Sequence, residues 1–146
     1  MSDIEEPTLP DPTAAIRALL LQDPDLRALV GDDVYCQELP PAMASVSPKA
    51  CVLVEDTSGT PGMKGTVELH EQSHNVHCMG ATPREAKAVY LRVHKILKFT
   101  VRVVLNECLL HSCDLIGSPR AQRDPQTHWP FVLSVWESLS STKQAT

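Results

Sequence analysis

A chain of 146 residues is long enough for one sizeable core and too short for two ordinary domains. Its apolar share of 42% is that of a soluble globular protein, and no apolar run approaches the roughly 20 residues needed to cross a bilayer, so a spanning helix and a membrane partner are excluded. The net charge of -5 argues against nucleic-acid binding by the whole surface, which requires a strongly basic footprint. The charge is nevertheless unevenly spread. Residues 1 to 38 hold nine acidic side chains against Arg17 and Arg27, whereas residues 84 to 102 hold six basic ones against Glu85 alone, which predicts a polarised molecule. The five cysteines (Cys36, Cys51, Cys78, Cys108, Cys113) are odd in number and form no CxxC pair. They argue against a disulfide framework or clustered zinc site and fit reduced thiols in a cytosolic environment.

The opening MSDIEEPTLP lacks the basic start and apolar core of a secretory signal, so the mature protein is expected to begin here. With Pro7, Pro10 and Pro12 and little to bury, residues 1–12 read as a flexible acidic arm, followed by a single domain over 13–140 and a flexible tail over 141–146. Thr13 is the expected cap of a helix whose Ile16, Leu19 and Leu20 share a face. Asp23-Pro24 interrupts it, and Leu26, Leu29 and Val30 repeat the spacing until Gly31. Val34 to Leu39 reads as a strand, Pro40 to Pro48 as a loop, and Cys51 to Val54, apolar on both faces, as a central strand. Ser58 to Gly65 reads as a glycine-rich loop. Thr66 to Met79 is read as extended, with a bulge or turn near Ser73, because Val67 and Leu69 fall on one parity and Val76 and Cys78 on the other.

Thr82-Pro83-Arg84-Glu85 combines a cap, proline at the first helical position and a glutamate placed for a capping box. The helix it starts carries Ala86, Val89, Tyr90, Val93 and Leu97 on one stripe and Lys87, Arg92, Lys95 and Lys98 on the other side. Val101 to Ile116 is strand-rich with a turn at Asn106-Glu107, Gly117 to Pro130 is a polar connection, and Phe131 to Leu139 is a last strand. These elements predict an α+β domain in which Ile16, Leu19, Leu20, Val89, Tyr90, Val93 and Leu97 face a sheet containing Val52, Val54, Val76 and Phe131.

His70-Glu71-Gln72-Ser73-His74 matches the zinc-hydrolase pattern H-E-x-x-H, which works only on a helix, where residues i and i+4 share a face and the glutamate serves as base. The flanking segment lacks a helical apolar stripe, so a polar strand or hairpin is preferred and the small zinc hydrolase is an alternative. His70, His74 and His77 are weak metal candidates, because on a strand His77 points away from the other two. No phosphate loop or nucleophile elbow is present: Lys64 precedes Gly65, and GxSxG does not occur. Neither an enzyme nor a cofactor is indicated.

Three stretches taken in order carry a resemblance: IRALLLQDPDLRALVGDDVY (Ile16 to Tyr35), the segment Asn75 to Leu97 entering T-P-R-E-A, and RDPQTHWPFVLSVWE (Arg123 to Glu137) with its D-P-x-T-x-W loop. In this order they resemble the tail terminator, or tail-completion, proteins of long-tailed bacteriophages. The resemblance implies an α+β fold, with two main helices on one face of a mixed, mostly antiparallel sheet and long loops projecting from it. It also implies a non-enzymatic virion protein, assembled in the host cytoplasm as a homohexameric ring that caps the tail tube protein and joins it to a neck or head-completion protein. Packaged DNA would pass through the lumen. A neck or head-completion subunit is the neighbouring reading, in a phage or in a domesticated relative such as a gene transfer agent. The expected contact residues are Lys87, Arg92, Lys95, Arg120, Arg123, Asp124, Pro125, Thr127 and Trp129, with the acidic third of one copy meeting the basic helix of the next. Reversing Lys87, Arg92 and Lys95 to glutamate is expected to spare folding and derange assembly.

Overall fold

The computed structural model describes residues 11–40, 48–64, 67–105, 107–125 and 127–142, with backbone alone at 58–64, 67, 68 and 142. The proposed arm at 1–10 and most of the tail lie outside them. Asp11 accepts from the Ala14 amide at 3.2 Å and Pro12 takes the first helical position, so α1 spans Pro12–Gln22. The cap is therefore Asp11 and not Thr13, whose hydroxyl turns inward instead. Asp23 both ends α1 and starts α2 (Pro24–Val30), accepting from the Leu26 amide at 2.8 Å. Gly31, at φ +63°, ends α2 in the left-handed region that costs glycine least.

The strands are β1 (Val34–Cys36), β2 (Cys51–Lys64), β3 (Val67–Met79), β4 (Val101–Leu105), β5 (Cys108–Arg123) and β6 (Pro130–Thr142), with α3 (Pro83–Lys98) between β3 and β4. They form one six-stranded sheet in the order β1-β2-β3-β6-β5-β4, parallel between β1 and β2 and antiparallel elsewhere. The expected α+β architecture is present. β1 is shorter than anticipated, because Gln37 at φ +70° turns the chain out of the strand. Ser58 to Lys64 is strand and not loop, its backbone paired residue by residue with Ser73 to Val67. The expected irregularity near Ser73 falls on the partner strand, between Asp56 and Ser58, and β3 itself runs unbroken. Gly117 to Arg123 likewise continues β5, after a register shift between Ile116 and Arg120 that Gly117 enters at φ +72°. Only residues 124–129 connect β5 to β6.

Alternation along the strands divides the core. β6 buries Val132, Ser134, Trp136, Ser138 and Ser140 and half-exposes the residues between, as expected of a sheet covered on one side. The covered face packs Val52, Val54, Val76, Cys78 and Trp136 against Ile16, Leu20, Val89, Val93 and Leu97. Phe131, expected on this face, lies on the other one, and its neighbour Val132 points to the helices. α1 touches both edge strands, β1 and β4, so the sheet curls around it, whereas α3 lies over β3, β5 and β6. Thr82 accepts from the Glu85 amide at 3.1 Å as a capping box predicts, and Glu85 reaches back one residue beyond the cap, to the Ala81 amide at 2.7 Å, which fixes the start of α3. Gly80 permits the entry: a Cβ there would lie 2.5 Å from the Ala86 nitrogen. All five cysteines are free thiols.

Candidate functional site

The H-E-x-x-H segment is extended, so His70 and His74 lack the helical presentation the hydrolase pattern requires. His74 faces the helices and is wholly buried, with Nε2 2.7 Å from Ser138 Oγ and Nδ1 3.3 Å from Thr13 Oγ1, which in turn donates to Asp56. Asp56 Oδ1 lies 3.8 Å from His74 Nδ1. The order serine, histidine, aspartate imitates a nucleophile, base and orienting acid. Ser138 and His74 are both sealed from solvent, so no substrate can reach the hydroxyl, and the network works as a polar joint between α1, β2, β3 and β6. Burial pushes the His74 pKa down to about 4, against the opposing pull of the Asp56 charge. His77 points to the opposite face, its Nε2 2.6 Å from Glu55 Oε1. His70 remains on β3 beside the end of β6.

Arg92 is committed within its own chain. Its Nε and NH2 donate to the two Asp23 oxygens at 2.7 Å each, and Asp25 lies 3.3 Å away. The Arg92 hydrogen bond holds the Asp23 carboxyl below the usual carboxylate range despite partial burial. Part of the acidic third thus meets the basic helix in the same subunit. Replacing Arg92 by glutamate would set three carboxylates together, so the triple reversal cannot be expected to spare folding. Lys87 and Lys95 are exposed on α3, and Arg120 is exposed on β5.

The D-P-x-T-x-W loop is a built turn. Asp124 Oδ1 accepts from the Thr127 amide at 2.9 Å, the Asp124 carbonyl accepts from the His128 amide at 2.8 Å, and Thr127 Oγ1 accepts from the Trp129 amide at 3.3 Å. His128 takes φ +63°, and Arg123 donates to its carbonyl at 3.0 Å. Pro125 sits exposed at the tip, while Trp129 is driven down onto the sheet face opposite the helices. There it joins Cys51, Leu53 and Met79, with Tyr35, Leu39 and Phe131 packed alongside. The cluster does not close. It leaves a cavity of about 340 Å³ floored by Leu53, Met79, Trp129 and Phe131, walled by Leu39, Pro40 and His77, and rimmed by Glu55, Asp124 and Thr127. The predicted residues Asp124, Thr127 and Trp129 therefore meet at one concavity, and Lys87, Arg92 and Lys95 belong elsewhere. Leu53, Glu55, Met79 and Phe131 were not singled out for it. The signal for them was the segment Cys51 to Val54, apolar on both faces, which required a second apolar layer.

No protein-family model and no curated protein matches the sequence. The fold is similar to that of a chain in the solved structure of the virion of a native gene transfer agent particle. The TM-score is 0.71 at 20% identity, covering 88% of this chain and 93% of that one.

Proposed function

We propose that this chain is a structural subunit of a phage-like particle, a tail terminator that forms a closed ring on the tail tube and joins it to the neck. The observation that carries this reading is the near full-length likeness to a chain of a gene transfer agent virion. The order of the three sequence stretches supports the same role independently. A small subunit matches a symmetric tube when a head-to-tail contact closes after a fixed rotation, so the partners are further copies of the chain, most simply six, with the tube protein below and a neck protein above. DNA would cross the lumen. The role needs no catalysis, and the histidine-rich strand serves packing in it. A neck or head-completion position in the same particle is the second reading, favoured by the same likeness.

Purified particles decide the matter. The chain should be found at the tail-to-neck junction by labelling, at ring copy number by quantitative mass spectrometry, and its deletion should give tails of abnormal length that fail to join heads. Mature particles that lack the chain altogether would overturn the proposal, and deletion particles with normal tails but open heads would transfer it to the neck.

A further inference from the structure

Among the described residues, the two most exposed large apolar side chains stand two positions apart in the chain, at the junction of α3 and β4. Phe99, which ends α3, is 71% exposed and Val101, which opens β4, is 69% exposed, with the exposed Val104 three residues further on. Cations flank them in the sequence Lys98-Phe99-Thr100-Val101-Arg102. A knob of this kind, an aromatic ring between positive charges, is costly to leave in water and is typical of an interface anchor.

β4 is an edge strand, yet its ladder is interrupted where it is most accessible. Arg102 takes φ +49°, and pairing to β5 holds at Val101 and resumes at Val103. Such a kink blunts edge-to-edge strand addition, so side chains and not backbone must make the contact.

The cavity beside Trp129 has the complementary form. Its floor is apolar, Glu55 and Asp124 lie on its rim, and Glu38 immediately precedes the wall residue Leu39. Arg123 is turned toward the His128 carbonyl and Lys49 toward Asp33 at 3.0 Å, while Glu55 is held on the rim by His77 at 2.6 Å. The knob belongs to α3 and β4, and the cavity to β2, β3, β6 and the 124–129 loop, so neither surface blocks the other. We infer that Phe99 of one copy, steered by Lys98 and Arg102, seats in the Trp129 cavity of the next copy. The contact is head-to-tail, the type that generates a ring when its rotation closes. A buried aromatic contributes about 150–250 Å² against the roughly 800 Å² per partner of a stable interface, so Val101 and Val104 must be covered as well. The inference rests on the ring reading and specifies its contact.

The test uses the full chain and sedimentation velocity at low and high salt, up to the solubility limit. Wild type should associate at low salt and dissociate as salt rises. Phe99→Asp, at an exposed position, and Thr127→Trp, which fills the cavity, should each sediment as monomers with unchanged circular dichroism. Pro40→Trp fills the cavity from the other wall if Thr127→Trp does not fold. Mixed together, the knob variant and the cavity variant retain one good half each, so they should form a one-to-one dimer and nothing larger. Phe99→Asp associating like wild type, the mixture remaining monomeric, or wild type remaining monomeric at every concentration overturns the contact. The ring itself is judged separately, by copy number in purified particles, so either idea can fail without the other.

Discussion

The two faces of this sheet are built from alternate residues of the same strands and are finished very differently. On one face Val52, Val54, Val76 and Trp136 are sealed by α1 and α3. On the other, Leu53, Met79 and Phe131 are met, among the described residues, by Leu39, Pro40, Tyr35 and the Trp129 loop, and a cavity remains. An α+β domain needs one closed layer to fold, and whatever apolar surface lies beyond that layer is available to a partner. Function is therefore to be sought on the face that the chain's own helices leave unfinished, and not in the histidine motif, whose last histidine, His74, the helices bury.

The contrast is broken most directly by truncation on each side. Trp136 is 1% exposed, its indole donates to Ser134 Oγ at 3.0 Å, and its edge meets the His94 ring at 5.5 Å. Trp136→Ala should cost about 3–5 kcal/mol by urea denaturation, as for other buried aromatics. Phe131→Ala, on the open face, should cost less than half of that, and equal losses would mean that the open face is as much a core as the closed one. The next effect is in pH. His74 has a folded pKa of about 4 against an ordinary value of 6.5, so the unfolded chain takes up the proton first. Stability is then complete at neutral pH and is lost as pH falls from 6.5 through 4, by on the order of 3 kcal/mol. The groups around the ring are Thr13 and Asp11 from the α1 end, Asp56 from β2 and Ser138 from β6, and only the carboxylates oppose this loss. His74→Gln should flatten the pH dependence of the urea midpoint over that window. A slope identical to wild type would remove His74 as its source.

Legibility followed how local each signal was. α3 was readable in full, because its cap, its proline and its apolar stripe are all contained in one stretch of chain. Val52, Val54 and Val76 were placed correctly by alternation, and Phe131 was misplaced by one residue because β6 is apolar at both Phe131 and Val132. Ser58 to Lys64 carries glycine and proline that erase any strand preference of its own, and its extended state comes from pairing with β3. Gly117 to Arg123 was hidden in the same way by a register shift. Of the cavity, the Asp124, Thr127 and Trp129 turn was visible as a motif, whereas its floor is assembled from β2, β3 and β6 by topology alone. The Arg92 to Asp23 pair spans 69 residues and has no local signature, so nothing in the sequence marked Arg92 as bonded within its own chain.

That pair gives the smallest of the effects. Asp23 caps α2 through the Leu26 amide and binds both donors of Arg92, so it fastens the broken N-terminal helix to α3. Asp23→Ala removes a cap worth about 1–2 kcal/mol by itself and leaves the guanidinium without its fork partner. Lys95, one turn further along α3 and exposed, should be nearly neutral when changed to alanine. The two helical cations thus divide, Arg92 bonded directly to Asp23 and Lys95 exposed, acting on that carboxylate only through its charge. In a double-mutant cycle on the monomer, Asp23→Ala and Arg92→Ala should be strongly non-additive, whereas Asp23→Ala and Lys95→Ala should couple only weakly, through charge alone. If both cycles were additive, the fork would contribute nothing to the fold, and the basic helix would again be available in full to the acidic surface of another copy.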